Sequence, residues 1–175
     1  LNTDKNLNYL DQLIINEDID AYSHYFEDEA LILSETGTSS AVIRAVDPRL
    51  ESNVNIIDDN IISGVYSDLL TERSIILGNG IARSLNVSVG DRVNVVMKFN
   101  LSSEELQNTE NNYTVSAIYD VGLYEYNNAY AFINLKNILQ NNDVSINKVV
   151  VLDADFTVEI DPSKSVIFSL TEKEP

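Results

Sequence analysis

The stretch "SIILGNGIARSLNVSVGDRVNVV", Ser74 to Val96, sets a Gly-x-Gly between a β-branched run and a helix-like run. Nucleotide-binding folds place a phosphate at such a junction, so its reading decides the fold. A dinucleotide fingerprint needs a third glycine three residues after the second, so that the helix packs closely beside the pyrophosphate. Arg83 stands at that position. A P-loop needs Gly-Lys-Ser/Thr at the helix start, and "GNGIAR" has no lysine. The residues instead describe a joint in a scaffold. "SIIL" has the composition of a buried strand, Gly78 and Gly80 permit close backbone geometry, and "IARSL" supplies a short helix. "NVSVGDRV" then turns tightly at Gly90 and Asp91 into the strand "RVNVV". Both Gly78 and Gly80 are expected to resist side chains.

Composition narrows the function classes. The chain has 175 residues, 44% of them hydrophobic, enough for one compact domain or two small subdomains around an apolar core. No run approaches the ~20 uninterrupted apolar residues of a membrane-spanning helix. The sequence opens without an initiator methionine or a positively charged, apolar leader, which reads as a piece of a longer protein or a processed form. With 28 acidic against 11 basic residues, the formal net charge is −17. Such a surface repels phosphate backbones and anionic headgroups, which argues against nucleic acid as a partner. The acids are spread along the chain, and the modest cluster in "NEDIDAYSHYFEDEA" (Asn16 to Ala30) reads as solvated surface rather than a cation site. Without cysteine there is no disulfide framework, thiolate zinc site or thiol nucleophile.

Patterning along the chain gives the elements. Leu7, Leu10, Leu13 and Ile14 have helical spacing around Asn8 to Ile15. Ala30 to Leu33 and "AVIRAV" (Ala41 to Val46) flank the turn-rich "ETGTSS" (Glu35 to Ser40) and predict a hairpin, which Asp47-Pro48 ends. A second, longer hairpin is predicted from Val93 to Ile118. "YAFINL" (Tyr130 to Leu135) alternates as a strand, followed by a short helix to about Leu139 and a strand at Lys148 to Leu152. The fold class is α+β, mostly antiparallel strands with short helices.

Residues that could carry chemistry do not gather into a set. "DADFTVEID" (Asp153 to Asp161) is similar to a calcium loop in its alternating acids, but Val158 replaces the turn glycine and Lys164 the bidentate glutamate. Its alternation of Leu152, Ala154, Phe156, Val158 and Ile160 predicts a half-exposed strand instead. His24, the only histidine, sits among Tyr22, Tyr25 and Phe26, with no Gly-x-Ser-x-Gly elbow in the chain, and reads as structural or surface. Tyr124, Tyr126 and Tyr130 share an alternating face that predicts sheet packing. Asp58-Asp59 and Glu104-Glu105 are sequence neighbours, which point apart on a strand. No catalytic residue, cofactor or metal ligand is assigned.

Several segments carry a resemblance. "IILGNGIARSLNVSVGDRVNVV" resembles the strand, Gly-x-Gly-(Ile/Leu/Val)-Ala, short helix and Gly-Asp turn of extracytoplasmic domains in ABC-transporter permeases of the MacB/FtsX-like class. Within that class it is most similar to the lipoprotein-releasing (Lol-type) subunits. "AVIRAVDPRLE" (Ala41 to Glu51), with Ala45 where glycine is usual, "IISG" (Ile61 to Gly64) and "YTVSAIYDVGLYEYNNAYAFINLKNILQ" (Tyr113 to Gln140) resemble further family segments in the same order. The resemblance runs from about Leu10 to Leu152.

The resemblance implies a MacB-type periplasmic core domain of two small subdomains, with residues 1–175 a single extracytoplasmic domain fragment of a longer membrane permease. It also implies a noncatalytic role at the periplasmic face of a Gram-negative inner membrane. ATP would be hydrolysed by a cytoplasmic ATPase subunit, a paralogous permease subunit would stand alongside, and lipoprotein would pass to a periplasmic carrier. In such permeases the hairpin loop corresponding to Asn100–Asn112 projects, and in one paralogue it hooks the carrier. Here that loop lacks the hook's prolines and glycine, and its apolar Leu101 and Leu106 with adjacent Phe99 are the candidate partner-binding residues. A solvated loop is the alternative. Two other functions stay open: an efflux or FtsX-like domain coupled to an adaptor or cell-wall hydrolase, and a small-molecule hydrolase or binding protein.

Overall fold

The computed structural model describes residues 20–98, 111–139, 148–152 and 157–160. The expected helix at Asn8 to Ile15 lies outside them. The chain opens with strand β1 (Ala21–Leu33) and β2 (Thr38–Val46), then helix α1 (Pro48–Glu51) and strand β3 (Ile61–Gly64). Strand β4 (Ser74–Gly78), helix α2 (Asn79–Leu85) and strands β5 (Arg92–Met97) and β6 (Asn112–Tyr119) follow. Helix α3 (Tyr124–Ala129), strand β7 (Tyr130–Asn134), helix α4 (Lys136–Leu139) and strands β8 (Lys148–Leu152) and β9 (Thr157–Ile160) complete the order. Single 3-10 turns at Asp58–Asn60 and Tyr66–Leu70 bracket β3.

Six strands close on themselves: β1 bonds β2, and the ladder runs on through β7, β4, β6 and β5 back to β1. β3 extends the edge of β6, and the β8–β9 hairpin adds to the start of β1. Only β2–β7 and β4–β6 are parallel among the described pairs, so the sheet is mostly antiparallel, as the pattern predicts.

Local chemistry explains the corners. Ser34 turns β1 into β2: its N–H bonds the Gly37 carbonyl at 2.9 Å, and its hydroxyl accepts from the Gly37 N–H at 2.9 Å. That hydroxyl also donates to the Leu85 carbonyl at 2.6 Å, which satisfies an orphan group at the end of α2. Asp47 caps α1 by accepting from the Arg49 N–H at 3.0 Å, with Pro48 at the first helical position. α2 ends at Asn86, which takes the left-handed conformation at φ 53°.

Every ring strand contributes to one apolar cluster, so that face is the inner one. Ile32, Ile43, Ile75, Leu77, Val93, Val95, Val115 and Ile133 meet there, with Ile81, Ala82 and Leu85 of α2. Fully burying each isoleucine or leucine stabilises by about 1.5–3 kcal/mol before entropy is counted. A second cluster lies outside β7, β4 and β6, where Ile76, Tyr119 and Phe132 pack under Ile57, Tyr66 and Leu69. The two clusters lie on the two faces of one continuous sheet.

A bulge decides which side chains of β6 go where. Between Ile75 and Ile76 the β4–β6 register steps over Ser116, pairing Ile75 with Val115 and Ile76 with Ala117. Tyr113 and Val115 therefore face inward, while Ala117 and Tyr119 join the outer cluster. β3 is tied to the same place: Gly64 takes φ 81°, and a Cβ built there would overlap the Ser116 carbonyl.

Two expected strands are corrected. Tyr124–Ala129 is helical, so Tyr124 and Tyr126 do not share a sheet face with Tyr130. Tyr126 and Tyr130 still meet, one helical turn apart, with ring centroids 4.7 Å apart. Leu152 and Ile160 do not share one strand: Leu152 ends β8 and Thr157–Ile160 form β9, antiparallel to it, with Leu152 paired to Thr157 and Val149 to Ile160, while residues 153–156 lie outside the described residues.

Candidate functional site

The glycine joint is occupied by protein. Gly78 ends β4 at φ −64° and ψ 145°, an ordinary extended conformation, so its need for glycine comes from space. A Cβ built there would overlap the Asn127 carbonyl of α3. At Gly80 the nearest atoms are the amide end of the Asn128 side chain, which can swing aside. The expectation for Gly78 holds through close approach, and that for Gly80 is weaker than the sequence suggested.

Around the joint, Asp120 gathers three donors. Asn79 Nδ2 donates to Oδ2 at 2.9 Å, Asn127 Nδ2 to Oδ1 at 2.6 Å, and the Gly122 N–H to Oδ1 at 2.9 Å. Asn127 Oδ1 in turn accepts from the Val121 N–H at 3.1 Å. The Asn79 amide, then the Gly122 N–H and Asn127, hold the Asp120 carboxyl below the usual range. A phosphate brought to the start of α2 would meet this carboxylate, which makes the site a poor anion cradle.

A second polar constellation escaped the sequence reading. Arg44 stands on the outer face of β2 with its guanidinium carbon 4.3 Å from the Tyr25 ring centroid and 5.2 Å from that of Tyr130. Its Nε and Nη2 donate to Glu27 Oε2 at 3.2 and 2.9 Å. Burial works to discharge this group, but Tyr25, Tyr126 and Glu27 hold it charged, above its ordinary value. Nearby, Glu51 is buried and accepts from the Ser23 hydroxyl at 2.6 Å and from Asn55 Nδ2 at 2.8 Å. The signal available was a lone arginine inside the apolar "AVIRAV", which a strand keeps only with partners across the sheet. These groups are bonded to one another and build structure.

The candidate anchors Phe99, Leu101 and Leu106 lie outside the described residues, as does Glu104-Glu105. The described chain leaves the sheet at Lys98 and returns at Asn111, whose carbonyl accepts from the Val95 N–H at 2.9 Å. Beside that exit is an open groove of about 720 Å³, with Leu31, Val42, Val96 and Ala129 in its lining and the Glu29–Lys98 ion pair, 3.1 Å, on its rim. His24 is half-buried on β1 and stacks at 6.2 Å on Tyr22, a structural setting. Asp58 and Asp59 lie on an exposed 3-10 turn rather than a strand. Among the described residues, no three histidine, aspartate or glutamate side chains converge as metal ligands, and no helix is long and apolar enough to cross a membrane.

A closed ring with a strand, glycine, short helix joint can be compared with known proteins. No family model matches the chain. The extracellular domain of the noncanonic ABC-type transporter YknZ from Gram-positive bacteria superposes with a TM-score of 0.58 at 11% identity, over 82% of this chain and 70% of that one. The fold is that of an ABC-type permease's extracytoplasmic domain. A domain assigned to a permease protein of Porphyromonas gingivalis aligns with a TM-score of 0.51 at 13% identity, over 81% of this chain and 60% of that one. In sequence, the chain is 27% identical over 119 residues to the lipoprotein-releasing system transmembrane protein LolC of Neisseria meningitidis. That match takes in 67% of this chain and spans 29% of the length of LolC.

Proposed function

We propose that the chain serves as a noncatalytic periplasmic domain of a lipoprotein-releasing ABC permease. The observation that carries this reading is the 27% identity over 119 residues with LolC, on a fold already matched to an ABC-type permease domain. In this reading residues 1–175 are one extracytoplasmic part of a longer permease at the periplasmic face of the inner membrane. A cytoplasmic ATPase subunit supplies the energy, a paralogous permease subunit completes the transporter, and this domain guides lipoprotein to a periplasmic carrier. Phe99, Leu101 and Leu106 would anchor the carrier. The ring's continuous hydrogen bonding suits a part that moves as one body and conveys motion from elsewhere.

A second reading, left open by the sequence, is an efflux-type domain that meets an adaptor instead of a carrier; a fold shared with the extracellular domain of another ABC-type transporter is compatible with it. Calorimetry separates them. The purified chain is titrated with the lipoprotein carrier of its own organism and, separately, with the periplasmic adaptor of an efflux pump. Saturable heat with the carrier alone is expected. Binding to the adaptor and not to the carrier would overturn the lipoprotein reading in favour of the second.

A further inference from the structure

The segment from Ile56 to Glu72 covers the outer cluster with one side and leaves the other bare. Ile57, Tyr66 and Leu69 are buried in that cluster, whereas Ile56, Ile62, Val65 and Leu70 are exposed, Ile62 at 58% and Val65 at 54%. β3 runs through the middle of the segment. It bonds β6 through Ile61, Ser63 and Gly64, and among the described residues no strand takes its other edge. The register slips at Ile62, so this residue is the extra one of a bulge and turns to solvent.

An open edge is a template for another strand, and native proteins usually blunt it with lysine or proline. Residues 56–72 contain neither, and the bulge carries an isoleucine where a charge would protect it. Within residues 56–72 the charge has one sign, and Arg73 follows directly after the segment. Asp58, Asp59, Asp68 and Glu72 are all exposed, and the segment has no arginine. That set decides the occupant. A second copy of a chain with net charge −17 would press the same carboxylates against each other, and an anionic lipid surface would be repelled as well.

We propose that β3 accepts an extended, cationic segment of a basic partner protein as an added strand. The partner's backbone completes the ladder, its apolar side chains cover Ile62 and Val65, and its lysines or arginines face the carboxylates of Asp58, Asp59, Asp68 and Glu72. The inference depends neither on the candidate anchors Phe99, Leu101 and Leu106 nor on the lipoprotein reading.

The test uses the whole chain and a short blocked peptide alternating valine and lysine, followed by backbone amide NMR. Saturable shifts centred on Ile61–Gly64 are expected, weakening with added salt. The same peptide with glutamate for lysine should not saturate. With proline in place of its central valine, it should bind ~tenfold more weakly or worse, because proline cannot donate to the ladder. Ile62→Lys should lower affinity for the valine–lysine peptide by ~tenfold or more with unchanged circular dichroism, and Val65→Lys serves if that variant does not fold. Failure of the valine–lysine peptide to bind overturns the proposal. So do equal affinity for the proline peptide, which would mean charge attraction alone, and saturating shifts on other strands. A dimer in sedimentation that Ile62→Lys dissociates would overturn it by assigning the edge to a second copy.

Discussion

Gly78 and Asn127 meet main chain to main chain: the space a Cβ would need on Gly78 is already taken by the Asn127 carbonyl. β4 and α3 approach this closely because Asp120, one residue past β6, ties Asn79 and Asn127 to the same carboxylate.

Substitution at the two glycines should therefore separate space from flexibility. Gly78→Ala is expected to cost about 1–3 kcal/mol through overpacking against an immovable backbone. Gly80→Ala should stay within about 1 kcal/mol of the parent, because the Asn128 amide can move and alanine favours the helix. Urea denaturation measures both, and equal midpoints for the two variants would show that α3 yields at Gly78.

Acid should weaken the joint in a defined window. The folded Asp120 carboxyl titrates below its unfolded value of 3.8, so its contribution is complete above that pH and is lost as pH falls through the lower folded value. Urea midpoints from neutral to strongly acid solution should thus fall less steeply below about pH 4 for Asp120→Asn than for the parent. Parallel curves would remove Asp120 from the acid response.

Arg44→Lys keeps the charge but gives up the planar stack on Tyr25 and the two-nitrogen grip on Glu27. A loss of about 1–2 kcal/mol is expected, little changed by salt because the pair is mostly buried. An unchanged thermal midpoint would mean that the aromatic setting contributes nothing beyond packing.

The loop between β5 and β6 can be removed without touching the ladder. Asn94 pairs with Asn112, and Asn111 bonds Val95, so replacing residues 100–110 with a short glycine-containing turn spares both contacts. Circular dichroism and melting should hold while carrier binding falls ~tenfold or more, as expected for losing apolar anchors. Full carrier affinity in a folded variant would rule Leu101 and Leu106 out as docking residues.

The corners of this fold were legible because their chemistry is local. Asp47-Pro48, the turn at Ser34 to Gly37 and the bend at Gly90-Asp91 each announce themselves within a few residues. Ring closure did not, since it depends on pairings such as Val42 with Tyr130, distant in sequence and silent in periodicity. β1 begins at Ala21, well before the predicted Ala30, because Glu27, Asp28 and Glu29 disguise the outward positions of a strand. The α3 helix was missed for a related reason. "YEYNNA" alternates aromatic and polar residues like a strand, but the hydrogen bonds of Asn127 to Asp120 and Val121 fold it into a helical turn. For the candidate site, the glycine joint was readable by its missing lysine and third glycine, whereas Arg44 became visible only with Tyr25 and Tyr130 on either side.

β1 touches β2 along most of its length, β5 at one end and β8 at the other. A pull along its axis would load these ladders in shear, so that many rungs must give way together. The short contact of β3 with β6, pulled sideways, would unzip one rung at a time. Axial tension at β1 would thus be shared among the ladders of the ring, while a sideways pull at β3 would be released locally.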